Sequence, residues 1–247
     1  MTQRTDVELA TPDGVAPSVL ITPVGDGPWP AVLLFMDAGG VRPAMVEMAE
    51  HLAGMGYVTL LPEMYYRYGR YEPFRVETAF TDPDERTRIM AMAGSLTQLA
   101  VAGDAAAFLE FLSGRPEVAG TKIGTTGYCL GGRLSLVAAA SHPDRIVAAA
   151  SFHGGHLAGD SLESPHRIVD RITGRVYIAA ARDDPTFPPE QAALLEKVLS
   201  EAGVDHVIEV YPALHGFAVP DNQTYNPDAA ARHWRALADL FGAMLPE

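Results

Sequence analysis

The sequence predicts an α/β fold, a mostly parallel central sheet with helices on both faces, and three observations carry that expectation. Short runs rich in Val, Ile and Tyr alternate along the chain with longer stretches of helical periodicity. The first two runs follow one another with no helix between them, as in an antiparallel edge, whereas helical stretches separate most of the later ones, as in parallel strands joined by crossovers. A glycine-rich stretch, Thr126-Gly127-Tyr128-Cys129-Leu130-Gly131-Gly132-Arg133, lies between such a run and such a helix, where a sharp strand-to-helix turn belongs.

Each element follows from its own pattern. Val7 to Ala10 and Ser18 to Thr22 read as a pair of edge strands, since alternation of polar and apolar residues marks a half-buried strand. Ala31 to Met36 is continuously apolar, as a strand covered on both faces is. Ala44 to Met55 repeats apolar residues at helical spacing and leads to the strand Val58 to Leu61. Ser95 to Ser113 reads as one long helix, followed by the strand Lys122 to Tyr128 and the helix Leu130 to Ala140. Strands at Ile146 to Phe152, Val176 to Ala181 and Val207 to Tyr211, with helices at Pro189 to Ala202 and Asp228 to Leu245, complete the pattern. In such a sheet ligand chemistry sits at the carboxyl ends of the strands, so functional residues are expected just after them.

Composition narrows the class and the chemistry. With 247 residues, 48% hydrophobic and 20% charged, the chain reads as one globular domain spanning 1–247, which excludes disorder, collagen-like repeats and a coiled coil. No internal repeat or low-complexity linker divides it. The balance of 18 Lys+Arg against 31 Asp+Glu gives a net charge of −13, which opposes a nucleic-acid backbone or an anionic lipid surface and leaves small molecules as the expected partners. Met1 to Gly14 lacks the apolar core of a signal peptide, and Ala31 to Met36, the longest uncharged apolar run, is too short to span a bilayer, so a cytoplasmic protein is expected. Cys129 is the single cysteine, which excludes an intramolecular disulfide and a cysteine-rich zinc site.

That cysteine occupies the centre of a G-x-C-x-G nucleophile elbow. A strand-to-helix turn this sharp forces its central residue into a strained conformation, and glycines two before and two after remove side chains that would collide. The sulfur would face the positive end of the following helix dipole, which favours the reactive thiolate. A lone cysteine is more commonly inert packing, but strand, elbow and helix in register point to a nucleophile here.

A nucleophile needs a base and a group that orients it, in the chain order nucleophile, acid, histidine. Arg182-Asp183-Asp184-Pro185-Thr186-Phe187-Pro188 follows a strand, and either aspartate could be the orienter. Pro212-Ala213-Leu214-His215-Gly216-Phe217 follows the last strand and puts a histidine on a loop beside glycine. Of the other histidines, His51 and His233 in helical patterns and His142 and His166 beside prolines read as exposed or capping, and His206 opens a strand. His153 and His156 follow a strand and are expected in packing or substrate contact, because their spacing offers two metal ligands where a conventional zinc site takes at least three. Tyr65-Tyr66-Arg67-Tyr68-Gly69-Arg70-Tyr71 also follows a strand, which makes Tyr65 and Arg67 candidate substrate contacts on a pocket wall, with Tyr128 beside the cysteine as another.

These residues resemble the dienelactone hydrolases of the α/β-hydrolase superfamily, from the strand at Ala31 to the loop after His215, and Gly127-Tyr128-Cys129-Leu130-Gly131-Gly132 is the most specific part. The resemblance implies a Cys-His-Asp triad, with Asp184, four residues before Pro188, joining Cys129 and His215. It implies an oxyanion hole from the backbone N–H groups of Ala38 and Leu130, and an acidic residue held against the resting thiol, which here is Asp37 in Phe35-Met36-Asp37-Ala38-Gly39-Gly40. It also implies Arg88, in Asp84-Glu85-Arg86-Thr87-Arg88, on a substrate carboxylate. The chain departs from the family twice: aspartate stands in place of glutamate at 37, and Val219 replaces a second carboxylate-binding arginine four residues after the histidine. The expected reaction is hydrolysis of an ester or lactone through an acyl-enzyme on Cys129, with no metal or organic cofactor. A thioesterase or other acyl hydrolase, or a thiol-sensing protein on the hydrolase fold, are the alternatives the same residues allow.

Overall fold

The alternation that opens the chain becomes a hairpin. In the computed structural model, which describes residues 1–72, 74, 78–79 and 81–245, β1 (Thr2–Thr11) and β2 (Gly14–Pro23) pair antiparallel with Thr11 opposite Gly14. β1 begins well before Val7 because pairing with β2, not an apolar face, holds residues 2–6 in the sheet. β3 (Trp29–Phe35) is buried from Ala31 onward, and the helix α1 (Pro43–Gly54) returns the chain to β4 (Val58–Pro62), whose five residues are all buried.

The helix expected over Ser95 to Ser113 is one helix that starts three residues later, and a further helix that the sequence pattern did not mark precedes it. α2 (Pro83–Gly94) is capped by Asp82, whose carboxylate accepts from the N–H groups of Asp84 and Glu85. Only Ile89 and Met92 of α2 are buried, so it carries almost no apolar periodicity. α3 (Gln98–Ser113) starts afresh because the Thr97 hydroxyl caps the N–H of Ala100 at 3.2 Å. β5 (Val118–Tyr128), α4 (Leu130–Ser141), β6 (Ile146–Phe152), β7 (Arg175–Ala181), α5 (Pro189–Glu201), β8 (His206–Tyr211) and α6 (Pro227–Met244) follow where the sequence places them, with ends shifted by a few residues.

The strands form one 8-stranded sheet in the order β1-β2-β4-β3-β5-β6-β7-β8, antiparallel at β1–β2–β4 and parallel from β4 to β8. Successive residues of β5 show that helices cover both faces. A Cβ on Gly124 would touch Phe241 of α6, whereas the next residue, Thr125, hydrogen-bonds Ser135 of α4 at 2.8 Å. Among the described residues no single helix is long and apolar enough to cross a membrane.

Candidate active site

The carboxyl ends of the parallel strands lie side by side, because their registers set Phe35 beside Gly127, Tyr128 beside Phe152, Phe152 beside Ala179 and Ala181 beside Tyr211. The residues just beyond them are therefore neighbours. Between β5 and α4 the chain turns within one residue, and Cys129 takes φ 53° and ψ −113°, a conformation that costs a non-glycine residue roughly 1–3 kcal/mol. Its N–H donates to the Phe152 carbonyl at 3.1 Å. A Cβ on Gly127 would lie 2.1 Å from the Gly131 carbonyl oxygen, and one on Gly131 2.3 Å from that of Phe35, so this elbow closes only on glycines. The sulfur is left half-buried at the start of α4.

His215 arrives from the loop after β8, and the hydroxyl of Thr224 fixes its carbonyl. Its Nδ1 hydrogen-bonds Asp184 Oδ2 at 2.6 Å, which leaves Nε2 for its hydrogen bond to Cys129. The Asp184 carboxylate is fully buried, and its other oxygen accepts from the N–H and hydroxyl of Thr186 at 2.9 and 2.7 Å. Burial alone would lower the pKa of His215, but the Cys129 sulfur and the Asp184 carboxylate outweigh it and push it up to about 10. Burial would likewise raise that of Asp184, and His215 and Thr186 overcome it and bring it down. Asp183, the other candidate orienter, is exposed and pairs with Arg182 at 3.4 Å.

The loop after β3 supplies the facing wall. The Ala38 carbonyl accepts from the Tyr65 hydroxyl at 3.2 Å, while the Ala38 N–H has no acceptor among the described residues. Leu130 is the first residue of α4, so its N–H is one of the donors a helix leaves unpaired. Asp37 corrects an expectation. The bonds its carboxylate makes are to Arg42, Oδ1 at 2.6 Å and Oδ2 at 2.9 Å, and to the Gly39 N–H on Oδ1, and none is to the sulfur among the described residues. A bidentate guanidinium five residues along the chain is a stronger partner for a short carboxylate than a sulfur is.

The expected substrate contacts divide. Tyr65 is fully buried, and the Cys129 sulfur and Asp37 add to burial in raising its pKa, so it reaches the site only through its hydroxyl. Arg67 turns away: it binds Asp104 and Asp13 in ion pairs of 2.8 and 2.6 Å, a structural knot with the Tyr66 hydroxyl. Tyr128 is also a correction, because residues alternate across β5 and its side chain enters the core, where its hydroxyl meets His233 Nε2 at 3.0 Å. His233 is accordingly buried rather than exposed. Arg88 lies over the Phe74 ring at 4.3 Å and donates to the Glu72 carbonyl, and its Nε is buried without an acceptor among the described residues.

Two residues near the site, Thr186 and Arg133, were not singled out from the sequence, whereas His153 was expected in packing or substrate contact. Thr186 sits two positions after Asp184, the spacing of a side-chain-capped turn. Arg133, one helical turn beyond Cys129, bonds only the carbonyls of Ala93 and Leu96 at 3.3 and 3.5 Å, with no carboxylate within 4.0 Å among the described residues. His153 is buried with its ring 5.1 Å from that of His215. His156 is exposed, its backbone N–H held by the Thr186 carbonyl at 2.6 Å.

Comparison with known proteins places this chain among relatives. The model of the dienelactone hydrolase family matches residues 16–245. A Synechocystis sp. protein provisionally named carboxymethylenebutenolidase is 29% identical over 231 residues, covering 90% of this chain and 89% of its own. Two solved structures share the fold: a provisionally named dienelactone hydrolase from Klebsiella pneumoniae (TM-score 0.84, 23% identity, 98% of this chain and 99% of that one) and a dienelactone hydrolase-like promiscuous phosphotriesterase from metagenomic libraries (TM-score 0.81, 24% identity, 99% of each).

Proposed function

From the premise that this chain belongs to the dienelactone hydrolase family and is a carboxylic ester hydrolase, we propose that it cleaves a small ester or lactone through Cys129, His215 and Asp184 by way of an acyl-enzyme. The observation that carries this reading is the placement of His215 between the other two, one ring nitrogen on the Asp184 carboxylate and the other on the sulfur. With its pKa pushed up to about 10 beside the Cys129 sulfur and the Asp184 carboxylate, His215 is the group that carries the proton the sulfur gives up when it attacks.

The thiolate adds to the acyl carbonyl carbon, and the carbonyl electrons move to oxygen. That oxyanion accepts hydrogen bonds from the Ala38 and Leu130 N–H groups, each such donor being worth roughly 10²–10³ in rate. Collapse breaks the C–O bond to the leaving alcohol, and His215 supplies its proton. In a lactone the alcohol stays tethered to the acyl chain. Water, deprotonated by His215, then adds to the thioester and expels the sulfur, so ester and water become acid and alcohol. Asp184 holds one tautomer and one ring orientation throughout.

The name carboxymethylenebutenolidase on the Synechocystis relative supports a lactone within the substrate class. Val219 is fully buried and offers an anion no donor, so neutral short-chain esters are expected as substrates too. The test is a burst of p-nitrophenol from p-nitrophenyl acetate, with an acetyl mass on Cys129. Cys129→Ala should abolish both and keep the wild-type circular dichroism. Turnover surviving in that variant overturns the mechanism.

A further inference from the structure

The loop that carries Ala38 is tied from outside the catalytic group by the Arg42 guanidinium, in addition to the Tyr65 hydroxyl on the Ala38 carbonyl. Arg42 donates from Nη1 and Nη2 to the two oxygens of Asp37 at 2.6 and 2.9 Å, and from Nη1 to the Gly40 carbonyl at 3.2 Å. Its Nε and Nη2 donate to Asp221 at 2.7 and 2.8 Å. These bonds use the full donor capacity of an arginine. The side chains of Arg42 and Asp37 are each only 9% exposed, so water screens the link little. Burial would lower the pKa of Arg42, but its bonds to Asp221 and Asp37 raise it, and it stays cationic.

The two carboxylates belong to different parts of the chain. Asp37 precedes Ala38 directly, whereas Asp221 lies in the segment that runs from His215 and folds back on it, where Thr224 bonds both the His215 carbonyl and Asn222. The rest of the β3 loop is pinned as well: the Gly39 N–H to Asp37 at 2.8 Å, the Gly40 N–H to the Asp37 carbonyl at 3.2 Å, and the Val41 N–H to half-buried Glu63 at 3.0 Å. Between Ala38 and Val41 the Ala38 N–H alone lacks an acceptor among the described residues. We propose that Arg42 is a positioning residue for acyl transfer, whose bridge between Asp37 and Asp221 fixes the Ala38 N–H relative to His215 and Cys129. This rests on Ala38 being an oxyanion donor.

The test compares two reactions at one sulfur. Hydrolysis of p-nitrophenyl acetate develops an oxyanion, whereas alkylation by iodoacetamide, a displacement at saturated carbon, develops none. Displacing a donor by an ångström costs about 10²-fold, so Arg42→Gln should lower kcat by about 10- to 100-fold, with KM and the alkylation rate each within about threefold of wild type. Asp221→Asn leaves the Arg42–Asp37 pair intact and should lower kcat by about 3- to 10-fold, with the double variant no worse than Arg42→Gln because both changes cut one link. Melting temperatures establish that each variant is folded, and Asp221→Asn carries the test if Arg42→Gln is not. Wild-type kcat in a folded variant overturns the proposal, as does an equal loss in hydrolysis and alkylation, which would place the damage at the nucleophile. Absence of an acyl-enzyme in the wild type would instead overturn the reading on which the proposal rests.

Discussion

Asp183 and Asp184 are neighbours in the chain and meet opposite surroundings. Asp184 turns inward to His215 and Thr186, while Asp183, at φ 54°, points out to Arg182 with its side chain 81% exposed. Asp184→Asn should therefore lower kcat by roughly 10²–10⁴, through loss of tautomer control, and Asp183→Asn should change it less than about twofold. Steady-state kinetics on one ester decides between them, and the reverse ranking would move the orienting role to Asp183. The sequence places this pair correctly after a strand but cannot rank its members, since the choice depends on which side of a turn each Cβ leaves. Asp37 illustrates a second limit. Its residue type and position were legible, but its partner was not, because Arg42 is drawn to it by a second carboxylate, Asp221, that only folding brings near.

At the scale of elements, what was legible is what burial writes into the sequence. β3, β4 and β6 are covered on both faces and read as apolar runs, whereas α2 buries two residues and left no periodicity, although Asp82-Pro83-Asp84-Glu85 is a helix start in miniature. The elbow was legible because its glycines are forced by contact. Gly131 is where α4 touches β3, and a Cβ there would sit 2.3 and 2.5 Å from the carbonyl oxygens of Phe35 and Met36, backbone atoms that cannot swing aside. Gly131→Ala should push the start of α4 off β3, separating Cys129 and Leu130 from Ala38. The expected cost is about 1–3 kcal/mol or more, a fall in Tm of roughly 2–4 °C per kcal/mol, together with loss of turnover. Gly242→Ala is the control, since nothing lies within 4 Å of a Cβ on this exposed turn of α6. It should raise Tm slightly through helix propensity. Equal melting of the two variants would mean that the α4–β3 approach is looser than the structure has it.

Across the whole molecule, buried histidines set how stability depends on pH, and they pull in opposite directions. His215 has its pKa raised to about 10, so in the folded state it holds its proton where an unfolded histidine, near 6.5, has lost it. Its contribution is full below about 6.5 and disappears as pH rises through about 10. His233, lowered to about 3, and His153, lowered well below 6.5, both mainly by burial, behave in the opposite way. The unfolded chain takes up their protons below about 6.5 while the folded chain does not, so each costs about 1.4 kcal/mol of stability per pH unit on the way down. His233 returns something for this through its bonds to Tyr128 and the Ala230 carbonyl. His153 does not: neither ring nitrogen has a partner among the described residues, and the ring packs as an aromatic, 4.9 Å from Phe217 and 5.1 Å from His215. Replacing a buried polar group that makes no hydrogen bond by an apolar ring of similar shape is neutral or stabilising. His153→Phe should accordingly leave Tm at pH 7.5 unchanged or a few degrees higher, and below pH 6.5 its Tm should fall less steeply than that of wild type. Thermal melts from pH 4 to pH 8 measure both slopes. A variant that melts lower at pH 7.5 and follows the wild-type slope in acid would mean that the His153 nitrogens are bonded in solution and that the acid sensitivity of the fold comes from other groups.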